Sequence, residues 1–206
     1  MIPPILFRTV PEHTSEQLED WWEIARHLHP GWTFETYRDP IDPDLFPETS
    51  PHWERCDSGA QLAGLIRLEA LWCHGGIYLD SDVECFRTFE PLRDLPAFAA
   101  WEDPGVVPDA ILGAEPQHPA IRACLDLALA RIDQIEGDWR TGPGAWSTGP
   151  GVTTTVLPDR DDTVLFPPGT FYEIHYSERH RLHETPRPWE LARHHWQASW
   201  LDEGAA

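Results

Sequence analysis

The chain has no lysine: its fifteen cations are all arginines, set against 35 acidic residues for a formal net charge of −20 over 206 residues. That absence removes the P-loop lysine, Schiff-base chemistry and the phosphatases that need a lysine beside a nucleophilic aspartate. Cysteine is scarce. Cys56, Cys73, Cys85 and Cys124 match no zinc spacing and suggest no disulfide framework, so they read as buried free thiols in a reducing cytoplasm. No stretch approaches about 18 consecutive apolar residues, and the start, Met1 to Arg8, lacks a basic region followed by a long apolar run. The expectation is a protein without a transmembrane segment, cytoplasmic, with peripheral placement at the inner membrane face as the alternative. A hydrophobic share of 41% and 11 tryptophans mean the acidic charge is a solvated surface on a folded chain. Such a surface argues against nucleic acid as a partner, because phosphate binding needs clustered cations.

The chemistry concentrates in Ile77-Tyr78-Leu79-Asp80-Ser81-Asp82-Val83-Glu84, an apolar run leaving a Gly75-Gly76 turn and ending in two carboxylates. Read as one strand, it turns Asp80 and Asp82 to the same face and Ser81 to the other. Two anions so close repel unless a cation sits between them, and oxygen ligands of this kind suit Mn²⁺ or Mg²⁺. Exposed acidic turns also use Asp-Ser-Asp; the flanking residues are what favour a metal.

Around this stretch the sequence predicts an α/β chain. Ile2 to Phe7 reads as a first strand. A capping-box pair, Thr14 and Gln17, opens a helix to Leu28 with Trp21, Ile24, Ala25 and Leu28 as its apolar stripe, and Trp32 to Tyr37 alternates like a strand. A second helix, capped at Asp57 or Ser58 and closed by Gly75, runs to Cys73 with Leu62, Ile66, Ala70 and Cys73 facing the core. Arg67 lies on another face of that helix beside Gly64. An arginine there needs a partner: a phosphate, a sugar, Asp80 or Asp82, or else a structural salt bridge with Glu69 or Asp57. Ala97 to Trp101 and Asp109 to Ala114 read as strands around a polar loop, Glu102 to Pro108. His118 to Ile135 reads as a helix begun by Pro119, Thr141 to Gly151 as a glycine-proline loop before a β-branched run, and Thr163 to Phe166 as a strand. The tail crowds His194, His195, Trp196, Ser199 and Trp200 together; its histidines are candidate additions to a two-carboxylate metal site, or part of an exposed tail with aromatic anchors.

Taken together the blocks resemble the bacterial members of glycosyltransferase family 32, the DXD-containing sugar transferases related to the catalytic domain of the large clostridial glucosylating toxins. The resemblance is carried by Ala60 to Leu71, by Gly75 to Cys85, and more weakly by Gly113 to Pro119, Thr148-Gly149-Pro150 and His194 to Trp200. It implies a GT-A-like, Rossmann-related fold, a mixed central sheet flanked by helices. The whole of residues 1–206 would form a single compact domain whose tail, about residues 190–202, closes on the donor site. It further implies a Mn²⁺ or Mg²⁺ ion on Asp80, Asp82 and His194, and a nucleotide-sugar donor, UDP- or GDP-linked. Donor contacts would come from Arg67, Tyr78, Asp80, Ser81, Ser199 and Trp200. Transfer would proceed with retention to a glycan, lipid-linked or other acceptor, with Asp80 and Asp82 catalytic through the metal.

Three departures from the pattern stand out. Gly64 occupies a position where relatives usually carry a donor-binding aspartate, the first strand ends Phe7-Arg8-Thr9-Val10-Pro11 without the usual His and Trp, and Asp109 replaces a common asparagine. Asp109 is thereby a candidate for acceptor activation or oxocarbenium stabilisation, or a structural turn residue. Two other functions remain open: a catalytically degenerate saccharide-binding or scaffold module of the same fold, and, disfavoured by the missing lysine, a phosphohydrolase with Asp80 as nucleophile.

Overall fold

The computed structural model describes residues 1–134, 144–181 and 185–197. Its frame is a six-stranded sheet built from β1 (Ile5–Val10), β2 (Thr33–Arg38), β3 (Gly76–Leu79), β5 (Ala97–Ala100), β6 (Ile111–Ala114) and β7 (Val164–Phe166) in the order β2-β1-β3-β6-β5-β7. Strands β2, β1 and β3 run parallel, β6 is antiparallel to both β3 and β5, and β7 is parallel to β5. A separate ribbon pairs β4 (Val83–Cys85) with β8 (Ala192–His194), antiparallel, setting Val83 opposite His194.

Alternation along the strands divides the core between the two faces of the sheet. Phe7, Tyr78, Leu112, Ala97 and Ala99 meet α2 (Gly59–His74) and α3 (Pro119–Ile132) on one side. Leu6, Ile77, Leu79, Ile111, Phe98 and Ala100 face the other side, with Trp22 and Ala25 of α1 (Glu16–Leu28) and with Phe171 and Tyr172. Gly113 is required by this packing, since a Cβ there would stand 2.1 Å from the Phe98 ring.

Several expectations change on folding. The first strand starts at Ile5, although Ile2 is buried. Ser15 caps α1, its Oγ accepting from Leu18 N, while Thr14 Oγ1 donates to Glu19, so the expected capping box does not form. Ile24 is exposed; Leu18 and Trp22 are buried with Trp21 and Ala25. Helix α2, capped by Ser58, is buried almost all round from Leu65 to Leu71, because the sheet covers one side and α3 with residues 144–147 the other. Leu62 is only half-buried and Cys73 is exposed, at the end of the helix that leaves the core. Of the four thiols, only Cys85 and Cys124 are buried. The β-branched run after the glycine-proline loop folds as α4 (Pro150–Val156), where Pro150 starts the helix and the threonine hydroxyls bond to carbonyls such as Val107 O and Gly151 O. Helix α3 ends at Ile132; Ile135 and residues 141–143 lie outside the described residues.

A candidate metal and sugar-nucleotide site

The site grows from the turn between α2 and β3. Gly75 and Gly76 both take positive φ, +63° and +110°, and a Cβ on Gly76 would meet Ile5 O at 2.8 Å. Two glycines are what let α2 fold directly back into β3 between β1 and β6. The strand then stops sooner than its sequence suggests. Asp80 N donates to Ala110 O at 2.8 Å and Val83 N turns back to Asp80 O at 3.1 Å, so Asp80-Ser81-Asp82 is a turn between β3 and β4. Strand alternation therefore does not explain why the carboxylates converge. The β4–β8 pairing does, by bringing the tail against the turn.

The first half of the cluster centres on Arg67. From the buried face of α2 it donates to Asp80 Oδ1 at 2.6 Å and to Tyr78 Oη at 3.1 Å, pairs with Asp109, and lies over the Tyr78 ring. Tyr78 Oη donates to the same Asp80 oxygen at 2.7 Å and touches Thr9 Oγ1 at 2.9 Å. Glu69 is not the partner of Arg67; it binds Thr49 and the backbone N–H of Glu48 instead. Burial works against the Arg67 charge, but Asp109 and Asp80 outweigh it and raise its pKa. Burial pushes the Asp109 carboxyl up to about 6 despite the pull of Arg67.

The second half is supplied by residues more than a hundred positions later. His194 Nε2 stands 3.0 Å from Asp82 Oδ1 and 3.8 Å from Asp80 Oδ2. Asp82 is held from the tail as well: its carbonyl accepts from His195 N at 3.0 Å and its Oδ2 from Gln197 N at 2.8 Å. Trp196 makes that double grip possible by taking φ +56°, which turns the chain back on itself, and its ring is packed against His194, Tyr172 and Tyr176. Burial would lift Asp82, yet His194 holds its carboxyl below the ordinary value, and Asp82 in turn raises His194 against the effect of burial.

Each carboxylate thus has one oxygen fixed by the protein and one turned inward. Asp80 Oδ1 is taken by Arg67 and Tyr78, and Asp82 Oδ2 by Gln197, leaving Asp80 Oδ2 and Asp82 Oδ1 toward His194 Nε2. His194 Nδ1 is buried without a hydrogen-bond partner among the described residues. The three residues offer ligand atoms within 4.8 Å of one another, a set of two oxygens and a nitrogen that fits a divalent cation such as Mn²⁺ or Mg²⁺ with room left for ligand oxygens.

His195 does something else. It stacks on Trp21 of α1 at 4.2 Å and meets Glu84 Oε2 at 2.9 Å, tying the tail to the helix. Nothing local in the sequence pointed to Trp21 or Glu84; the histidine doublet alone hinted at a division of labour. Ser81 is half-buried and makes no hydrogen bond among the described residues. Ser199 and Trp200 lie outside the described residues. At Gly64 an added Cβ would stand 2.7 Å from Thr148 O, while Thr148 Oγ1 donates to Gln61 O at 3.0 Å. The side-chain space at position 64 is therefore filled by the loop before α4.

Residues 10–99 match the model of the glycosyltransferase sugar-binding region containing a DXD motif, a span that includes Asp80-Ser81-Asp82. The match takes in less than half of the chain. Among curated proteins it is 32% identical over 126 residues to inositol phosphoceramide mannosyltransferase 3 of Schizosaccharomyces pombe, covering 57% of this chain and 35% of that protein. The chain spans about a third of the length of the curated relatives it matches. Among solved structures, the PaToxG glycosyltransferase superposes with a TM-score of 0.57 at 17% identity over 76% of this chain and 68% of that one. The ligand-free glycosyltransferase domain of the YGT toxin gives 0.59 at 9% identity over 80% of each. The chain therefore has the expected GT-A-like fold, a mixed sheet flanked by helices. Among the described residues no helix is long and apolar enough to cross a membrane.

Proposed function

We propose that the chain is a metal-dependent, retaining glycosyltransferase that moves a sugar from a nucleotide-sugar donor to a glycan, lipid-linked or other hydroxyl acceptor. The observation that carries this reading is the convergence of Asp80 Oδ2, Asp82 Oδ1 and His194 Nε2 beside a buried arginine. These three atoms would hold Mn²⁺ or Mg²⁺, and such an ion supplies Lewis-acid neutralisation of the donor's diphosphate as the glycosidic bond breaks. Arg67 fixes Asp80 in orientation and, with Tyr78, keeps one of its oxygens turned inward. Asp109, at the N-terminal approach to β6 and paired with the same arginine, would lie near the sugar's reacting carbon. Ser81 at the turn would contribute a donor hydroxyl contact. Ser199 and Trp200 would close over the diphosphate, and a tail folded over the donor would exclude water as a competing acceptor.

Because the curated relatives are named as mannosyltransferases of inositol phosphoceramide, GDP-mannose is the first donor to try and a lipid-linked inositol the first acceptor class. Placement in the cytoplasm or at the inner face of a membrane belongs to the same proposal. The test is a thermal-shift panel with Mn²⁺ and GDP- and UDP-sugars, followed by nucleotide release and by NMR of the product anomer. At least one donor should stabilise wild type only with metal and should fail to stabilise Asp82→Ala; a flat panel for both proteins overturns the proposal.

A further inference from the structure

The strand β5 delivers a carboxylate that the donor-side chemistry does not use. Trp101 N donates to Phe166 O at 3.0 Å and Glu102 N to Val106 O at 2.9 Å, and the following turn is closed by an Asp103–Val106 bridge, so the backbone of Glu102 is fixed on both sides. Its side chain is buried, with 7% of the residue accessible. One oxygen, Oε1, accepts from Tyr176 N at 2.6 Å. The other takes no hydrogen bond from the described residues.

Among the described residues no cation closes on it at hydrogen-bond range: His175 Nε2 stands off at 3.7 Å from Oε1 and at the same distance from Asp103. That separates Glu102 from the other acids of the rim. Asp80 and Asp109 are held by Arg67, and Asp82 by His194 and Gln197. A nearly buried carboxylate with a spare oxygen is costly unless something donates to it.

Its place says what that could be. Glu102 leaves the C-terminal end of β5, at the same edge of the sheet as Asp80 after β3 and Asp109 before β6. Tyr176, whose N–H holds Glu102, packs its ring on Trp196 at 5.7 Å, and Trp196 packs on His194 at 4.1 Å. Tyr176 thus links Glu102 to the candidate metal ligand through two ring contacts. A carboxylate in a chain of net charge −20 repels a phosphate but accepts well from neutral hydroxyls.

We infer that Glu102 is an acceptor-binding residue, taking hydroxyl hydrogen bonds from the neutral polyol or sugar ring presented to the donor. This rests on the glycosyltransferase reading above and deepens it by naming the group that binds the acceptor's ring. Glu102→Gln keeps an acceptor for Tyr176 N while removing the charge, and Glu102→Asp withdraws the carboxylate by one methylene.

The experiment measures three things on wild type and both variants of the full chain: polyol binding by saturation-transfer NMR, with myo-inositol and methyl α-D-mannopyranoside as probes; Mn²⁺ binding; and donor-induced thermal shift. Wild type should bind at least one probe. Both variants should bind it about 10-fold or more weakly, the range for a hydrogen bond to a charged group, with Mn²⁺ and donor binding retained. Unchanged probe binding in both variants, or no binding of either probe by wild type, overturns the assignment. Failure of wild type to bind any metal or donor would instead overturn the glycosyltransferase reading, and the probe titrations would still decide whether Glu102 holds a polyol.

Discussion

The two halves of the candidate site are built in different ways. The Arg67–Tyr78–Asp80–Asp109 half comes from one helix and two adjacent strands of the central sheet, and its side chains are interlocked through a single guanidinium. The Asp82–His194 half depends on a two-stranded ribbon, one left-handed residue and main-chain bonds from a tail segment. A polar cluster tied to the core is rigid because breaking it leaves buried charges unpaired. The second half also buries a charged pair, Asp82 and His194, but it is held by a two-stranded ribbon rather than by the central sheet. The contrast places the larger stability contribution in the first half, which is tied directly to the central sheet.

That contrast can be broken most forcefully at Asp82, where the two halves meet. Asp82→Ala removes both a proposed ligand atom and the anchor of Gln197, so the proposed metal-dependent turnover should fall by more than about 100-fold, beyond the loss typical of outer-shell changes. Its unfolding free energy should change far less than that of Arg67→Met. The latter leaves Asp80 and Asp109 facing each other without their cation and should cost about 3–5 kcal/mol in urea denaturation. If Asp82→Ala proved the more destabilising of the two, the division would be wrong.

A smaller effect is expected at Gly64→Asp. The new Cβ would force Thr148 away, for a loss of about 1–3 kcal/mol typical of overpacking, read as a lowered midpoint. The mildest test sits at the outer end of α1. Burial raises Glu19, but Thr14, Arg8 and Arg38 together bring it down to about 2 from the ordinary 4.5. A depressed carboxylate contributes stability above its unfolded pKa and loses it as pH falls through the folded one. The stability difference between wild type and Glu19→Gln should therefore be constant above pH 5 and shrink between 4.5 and 2. Its persistence unchanged down to pH 2 would show that the arginines do not hold this carboxylate.

Local pattern made the first half legible in the sequence. The paired glycines, the apolar run and the helix arginine lie close together along the chain, and the partners offered for Arg67 included Asp80. The early end of β3 was legible only as the alternative reading of an acidic turn, which the local bond from Val83 N to Asp80 O closes. The fate of the β-branched run after Gly151 was missed because tertiary contacts to Val107 and α3 favour helix over the strand propensity of threonine and valine. His194 was reached through family resemblance, whereas the separate stacking of His195 on Trp21 needed the register of β4 against β8. Glu102 had no signal beyond lying in a polar loop, since its neighbour Tyr176 is far along the chain.

Pairing of β4 with β8 brings His194 to Asp80 and Asp82, where it would complete the proposed metal site, and leaves His195 to fasten the tail. Mn²⁺ titration followed by electron paramagnetic resonance on wild type, His194→Ala and His195→Ala tests it directly. One Mn²⁺ should bind wild type, bind His194→Ala at least about 10-fold more weakly, and bind His195→Ala with nearly unchanged affinity. The reverse ranking of the two variants, or no Mn²⁺ bound to wild type, would contradict it.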